Sequence, residues 1–280
     1  MSYFIFNGID SRDFGVVTKS GFPPIAERTL RTVEIPGRAD PLNRLEIMRK
    51  NRKITLTVTV TDISRMAEIN AWLQGRGDLI FSTDLTKKYR AYVNQAITPT
   101  RVHKLCGSVP IVFTVEPFAY SVTNPFVSTP MGMDDSNLTG SMTVISNGTA
   151  ESCPLLYFSV AGKLRVTVNG TDTPLIITTP GEYSDTEYSY DNSIEEGKAF
   201  YHYNYERRNI YIDTAALVAY DGNRNVLTSL TSGPFPTFKT GENVITFELV
   251  RETWEHDGLP YISHDMSLGY FGYRKNERWY

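Results

Sequence analysis

The chain has 280 residues, with 28 Lys+Arg against 31 Asp+Glu, 41% hydrophobic residues and 12% aromatics. Ordinary hydrophobicity and a small net charge exclude a disordered chain. Two cysteines exclude a disulfide scaffold, and no apolar run is long enough for a membrane-spanning helix. The length suits one large domain or two ordinary ones with a sizeable core. The start lacks the basic residues, apolar run and small-residue cleavage site of a signal peptide, so a reducing cytoplasm is the expected place of synthesis and folding. Charge is uneven: residues 1–120 hold 17 Lys+Arg and 11 Asp+Glu, and residues 121–280 hold 11 and 20. The front half is therefore net +6 and the rear half net −9, as if two units with different surfaces were joined. The basic residues form no single run, and no zinc-finger, helix-turn-helix or RNP signature accompanies them. A mixed surface, or a face that meets an acidic protein, is expected rather than a nucleic-acid site.

In chain order, residues 54–61 (ITLTVTVT) alternate apolar and polar and are nearly all β-branched, which predicts a strand with one buried face. The period then changes. Ile63, Met66, Ile69 and Leu73 recur every three or four residues beside Trp72, which predicts an amphipathic helix over 63–74. Thr61 or Asp62 caps its start, and Gly75 and Gly77 follow its end. Strands are expected at 79–82, 89–97 and 111–118. Residues 121–141, rich in Pro, Gly, Ser, Thr, Asn and Asp, read as a linker. With the change of charge, this puts a domain boundary at about 122, giving domains 1–122 and 123–280. The rear half reads as a train of short strands, at 142–145, 155–160, 164–168, 175–178, 210–213, 217–220, 226–230, 244–250 and 268–273. Asn169-Gly170 and Asp221-Gly222 supply positive-φ turn residues. The pattern predicts an antiparallel β-sandwich. The fold class is thus mainly β with one α-helix.

No phosphate-binding, dinucleotide-binding, zinc-protease or nucleophile-elbow motif occurs. His103 and His202 stand alone, and His256 and His264 are eight apart, a spacing that fits no standard metal site and predicts surface residues. Cys106 and Cys153 read as buried small hydrophobes. No cofactor, metal or catalytic residue is expected. Residues 182–205 carry six acids and six tyrosines. Carboxylates among Glu182, Asp185, Glu187 and Asp191 have the chemistry of a glycosidase pair, but a solvated acidic loop is the simpler expectation. Tyr183, Tyr188 and Tyr190 have the flat faces on which sugars stack, whereas Tyr201, Tyr203 and Tyr205 alternate as one buried strand face would.

Several stretches stand in a fixed order along the chain. These are FIFNGIDS with Phe14-Gly15-Val16 at the start, VEIPGRAD at 33–40 and the alternating strand at 54–61. Further stretches are INAWL at 69–73, GDLIFS at 77–82, FTVEPFAY at 113–120 and NGTAESCP at 147–154. This ordered series, spanning most of the chain, resembles the distal tail (Dit) proteins of long-tailed bacteriophages. It implies a non-enzymatic virion protein of the tail tip, assembled in the host cytoplasm. In it an N-terminal ring-forming β domain with one helix precedes a galectin-like β-sandwich. Its implied partners are five further copies in a hexameric ring, the tail tube protein, and a tail hub, tail-associated lysin or fibre protein. A receptor-binding protein or host glycan is a further implied partner, and DNA passes through the ring without specific binding. The charged segment 33–53, with Arg38, Arg44, Arg49, Lys50, Arg52 and Lys53, is expected to reach a neighbouring subunit as an arm. The alternative is a lectin or adhesin working through the tyrosine-rich sandwich.

Overall fold

The computed structural model describes residues 2–18, 28–33, 42–95, 97, 100–102, 106–189, 199–256, 259–264 and 266–279. At 28–33, 42–49, 101, 185–189, 199–200, 254, 260, 262 and 264 it gives the backbone alone. The chain forms two compact units, Met1–Thr123 with Arg278–Tyr280, and Asn124–Glu277.

The first unit contains β1 (Phe4–Phe6), β2 (Ile9–Asp10), β3 (Val16–Thr18), β4 (Arg28–Val33) and β5 (Leu42–Arg49). It continues through β6 (Arg52–Val60), helix α1 (Met66–Leu73), β7 (Arg76–Phe81), β8 (Asp84–Val93), β9 (Thr100–Arg101) and β10 (Gly107–Ser121). The expected strand at 54–61 is β6. Its Ile54, Leu56, Val58 and Val60 are buried, and the threonines between them face out or lie half-buried. It lies in a sheet of order β2-β1-β7-β8-β10-β6-β3. The predicted helix is shorter at its start. A 3-10 turn, Ile63–Arg65, precedes α1, and the Asp62 carboxylate accepts the Ser64 N–H. Ile69, Trp72 and Leu73 bury the helix against the sheet. The Trp72 ring stacks on Phe4 at 5.6 Å and on Phe14 at 4.8 Å, and its indole N–H donates to the Phe6 carbonyl at 3.0 Å. That bond lets an indole sit in an apolar core without an orphaned donor.

Among the described residues, the second unit packs two five-stranded sheets around one core and carries a further sheet. One runs β11 (Val127–Asp134), β24 (Ser267–Arg274), β13 (Leu155–Ala161), β18 (Arg208–Asp213), β19 (Val218–Tyr220). The other runs β12 (Thr139–Ser146), β21 (Gly241–Leu249), β14 (Lys163–Val168), β15 (Leu175–Thr178), β20 (Thr231–Ser232). Phe271 of the first meets Phe247 of the second, with centroids 4.9 Å apart, and Phe158 packs beside Phe271. One residue, Gly162, turns the chain from one sheet to the other. Its φ is +107°, and a Cβ there would lie 2.9 Å from Met266, so a glycine is required. A third sheet joins β16 (Gly181–Ser189), β17 (Ala199–Tyr205), β23 (Leu259–His264) and β22 (Thr253–His256), with β17 and β23 parallel.

Three sequence expectations are corrected. Most of the segment read as a linker is strand: β11 lies at a sheet edge, where Pro130 is tolerated beside a register shift between Pro130 and Met133. Residues 226–230 are not a strand. Val226 makes one isolated bridge to Tyr220, and Thr228–Leu230 is a 3-10 turn. At Asp221-Gly222 the positive φ falls on Arg224 instead, because the Asp221 carboxylate accepts the N–H groups of Asn223 and Asn225 and closes the loop itself.

The chain then returns to the first unit. Strand β25 (Arg278–Trp279) pairs with β10, setting Trp279 opposite Ala119 and Arg278 opposite Tyr120. It occupies the side of β10 that β6 leaves open, since β6 pairs only from Gly107 to Val115. Trp279 packs against the first core, with Lys87 Nζ 5.6 Å from its ring. A chain ending at Glu277 should lose about 1–3 kcal/mol of stability, the range of losing paired backbone and partly buried aromatic surface. Hydrogen exchange should quicken at Ala119, whose N–H faces β25, and stay unchanged at Phe158 and Phe247. Unchanged exchange at all three would show that β25 contributes nothing.

Candidate interaction surfaces

Six described cations of the first unit pair with a carboxylate, four of them on strands of its main sheet. Arg12 pairs with Asp10, Arg65 with Glu68, Lys87 with Asp84 and Lys88 with Asp78, while Arg76 and Arg90 share Glu116. Half of the basic excess lies before β6. Residues 28–50 hold six Lys+Arg and three Asp+Glu, a net of +3 out of the front half's +6.

This segment contains β4 and β5, which form a separate two-stranded antiparallel sheet. The register sets Arg28 opposite Arg49 and Arg31 opposite Arg44. Arg44 and Arg49 thus lie in the hairpin, Lys50 is exposed just past it, and Arg38 falls outside the described residues. Arg52 and Lys53 are placed differently from an arm: both belong to β6. Lys53 is exposed, but Arg52 occupies a core-facing position of the alternation and is 8% exposed, its guanidinium 5.2 Å from the Tyr89 ring centroid. Sequence reasoning grouped it by charge, although its even spacing with Ile54 and Leu56 gave the signal for an inward position.

The tyrosine-rich segment is the hairpin β16–β17. Tyr183 is 45% exposed and stacks on His256 of β22, with centroids 4.0 Å apart and planes 3° from parallel. Tyr203 and Tyr261 meet Tyr183 in T-shaped contacts at 4.9 and 4.8 Å, and Tyr203 meets Tyr205 at 5.1 Å. The alternating tyrosines Tyr201, Tyr203 and Tyr205 are half-buried and join this cluster rather than forming an open platform. Tyr183 has one ring face on His256, which leaves less of it for a sugar. Tyr188 lies in β16 opposite Phe200, and Tyr190 and Asp191 fall outside the described residues. Glu182 is exposed, and Asp185 and Glu187 share β16 with it.

Among the described residues, no three His, Cys, Asp or Glu side chains come together as a metal site. Cys106 and Cys153 are free and half-buried, more open than expected, with the Cys106 thiol 3.7 Å from the Thr61 carbonyl. A surface groove of about 510 Å³ lies along β12, β21 and β14, and its only charged groups, Arg165 and Glu248, are bonded to each other at 2.8 Å. No helix of the described residues is long and apolar enough to cross a membrane.

Tyr205 is the most perturbed of these groups. Burial against the sandwich core, with Glu252 and then Tyr203 adding to it, pushes its hydroxyl up to about 12. An unfolded tyrosine ionises near 10. The neutral ring therefore supports the fold fully below about pH 10, and that support is lost as pH rises toward 12. A Tyr205→Phe variant should lose less Tm than the parent between those values. An equal fall would show that Tyr205 is not a source of the alkaline sensitivity.

Neither a protein-family model nor a curated protein sequence matches the chain. Solved structures do. The Dit protein of phage SPP1, described as a paradigm of the hub adsorption apparatus in phages infecting Gram-positive bacteria, is 13% identical. The match covers 89% of this chain and 98% of that one, with a TM-score of 0.59. Chains of the phage P2 baseplate in its activated conformation also match across 98% of both chains. The structure with Ca is 10% identical with a TM-score of 0.42, and that with Sr is 9% identical with a TM-score of 0.43. Mainly β, with largely antiparallel sheets and one α-helix among the described residues, the chain has the fold of the SPP1 Dit protein.

Proposed function

We propose that the chain is a structural subunit of a bacteriophage tail tip. Six copies close into a ring that joins the tail tube to the hub, lysin or fibre protein beyond it. The first unit builds the ring, and the galectin-like second unit stands outside it, where receptor-binding proteins attach. The protein acts in the virion as an adaptor and not as an enzyme, and DNA passes through without specific binding. The observation that carries this reading is the SPP1 Dit fold, matched across nearly all of both chains.

The charge distribution supports it. A closed ring needs a head-to-tail interface, with one patch on each subunit meeting a different patch on the next. The β4–β5 hairpin makes a poor independent element, because two strands alone are marginal and opposed arginines do not stabilise each other. It gains most from carboxylates supplied by another chain. Such contacts fix register and partner choice more than affinity. The ion pairs of Arg76, Lys87, Lys88 and Arg90 reduce the positive charge the main sheet could offer to phosphates in a bore.

Removing residues 38–50 tests the arm. The core face of β6 is untouched by the deletion, so the variant should keep its circular dichroism and a cooperative melt. It should sediment as a monomer under conditions where the parent assembles. Six-fold rings formed by the variant would remove the hairpin from the interface.

A further inference from the structure

Almost every sheet edge among the described residues is guarded. β2, β3, β19, β20 and β22 are two to four residues long. β11 carries Pro130 and a register shift. β16 has three acids and a shift between Tyr183 and Glu187, and the β4–β5 hairpin has arginines and a shift between Arg28 and Leu30. Shortness, charge, proline and bulges are the devices that stop edges from pairing with other chains.

β12 has none of them. Its eight residues, TGSMTVIS, include no charge and no proline, and they pair with β21 in unbroken register from Thr139–Glu248 to Ser146–Gly241. The hydrogen bonds of an antiparallel pair alternate. Leu249 N–H donates to the Leu138 carbonyl, and Asn169 N–H donates to the Val244 carbonyl on the opposite side of β21. Even-numbered residues of β12 therefore bond to β21, and Thr139, Ser141, Thr143 and Ile145 turn their N–H and C=O groups outward. Among the described residues, the partner on this side is Lys275, whose ammonium takes the Ile145 carbonyl at 2.8 Å at one end. Beside the edge, Met131 and Met142 are half-buried, and Gly140 leaves room for the Met133 sulfur, which a Cβ would approach to 2.9 Å. Methionine here gives the mouth between the two sheets a soft lining that can repack around an added strand.

We infer that β12 is a strand-addition site for an extended segment of another protein. That segment has an uncharged, alternating centre and basic flanks. The bare main-chain groups of Thr139, Ser141 and Thr143 supply the ladder, and the neutral side chains of β12 exclude no uncharged strand. The flanks follow from charge. Asp134 and Asp135 precede the strand, exposed Glu242 lies opposite Ile145, and the unit 124–277 holds 10 Lys+Arg against 20 Asp+Glu. This field attracts a basic segment and repels a second copy of the same unit.

The probe is a capped peptide, Lys-Lys-Thr-Val-Thr-Val-Thr-Val-Lys-Lys, added to the full chain. Hydrogen exchange should slow at least tenfold at Ser141 and Thr143. A control peptide with proline for each valine should have no effect. Thr143→Pro removes an outward N–H without touching the β21 ladder, and Thr143→Lys adds an edge charge at an exposed position. Each should weaken peptide binding about tenfold or more. Unchanged exchange with the peptide, or equal binding by the folded variants, would overturn the inference. Protection of these amides that grows with protein concentration in the absence of peptide would overturn it too, in favour of pairing between copies. None of these readouts depends on ring formation.

Discussion

The first unit depends on β10. A strand of fifteen residues extends for roughly 50 Å at about 3.3 Å per residue, and each buried main-chain group along it needs a partner. No single neighbour is long enough. β6 covers one side from Gly107 to Val115, and β25 resumes that side at Ala119 and Tyr120. On the other side β9 covers Gly107 and Ser108, and β8 covers Phe113 to Ser121 with a slip between Val115 and Ala119. Pro110 sits where neither β9 nor β8 pairs, the kind of place where a strand tolerates the missing N–H. The same strand carries Phe113, whose ring meets Phe4 and Phe6 beneath Trp72. One strand thus ties the helix-bearing core to the last residues of the chain.

The second unit solves its constraints with polar residues in few places. Asn243 is fully buried on β21, and its amide is satisfied from both sides: it donates to the Lys239 and Gly241 carbonyls and accepts from the Lys239 N–H and the Asn169 side chain. A buried amide is tolerable only when satisfied in this way. Just before the chain leaves this unit, Asn276 exchanges hydrogen bonds with Asn124 and donates to the Cys153 carbonyl, while Glu277 accepts the Asn147 N–H and pairs with Lys275. The residues preceding β25 are therefore held by side-chain bonds rather than by a ladder.

Much of this was legible in the residues because burial imposes a period. The alternation of Ile54, Leu56, Val58 and Val60 and the helical spacing of Ile69 and Leu73 each record a one-sided environment. Where the environment is set by something distant, the residues are silent. Pro130 and Gly132 read as loop, yet β11 forms because β24 offers an edge. Nothing in Arg278-Trp279 announces a strand whose partner lies more than 150 positions earlier. The tyrosines were legible as a strand face but not as a cluster, since His256 and Tyr261 come from another hairpin. Grouping by charge took in Arg52, whose position in the alternation, not its charge, decided its burial.

Function follows from where charge is left over. Four cations of the first unit's main sheet pair with nearby carboxylates, and half of the front half's excess positive charge lies around a two-stranded hairpin that has no ladder to the rest of the unit among the described residues. In the proposed reading other chains complete this hairpin, and a closed ring is the assembly that would give every copy the same completion. The direct measurement is the mass and symmetry of the purified wild-type particle, by light scattering after size exclusion with negative-stain imaging. The account predicts a six-fold ring with an open centre and six times the mass of the 31.6-kDa chain. A species that keeps the mass of one chain at every concentration, with no rings in the images, would contradict it.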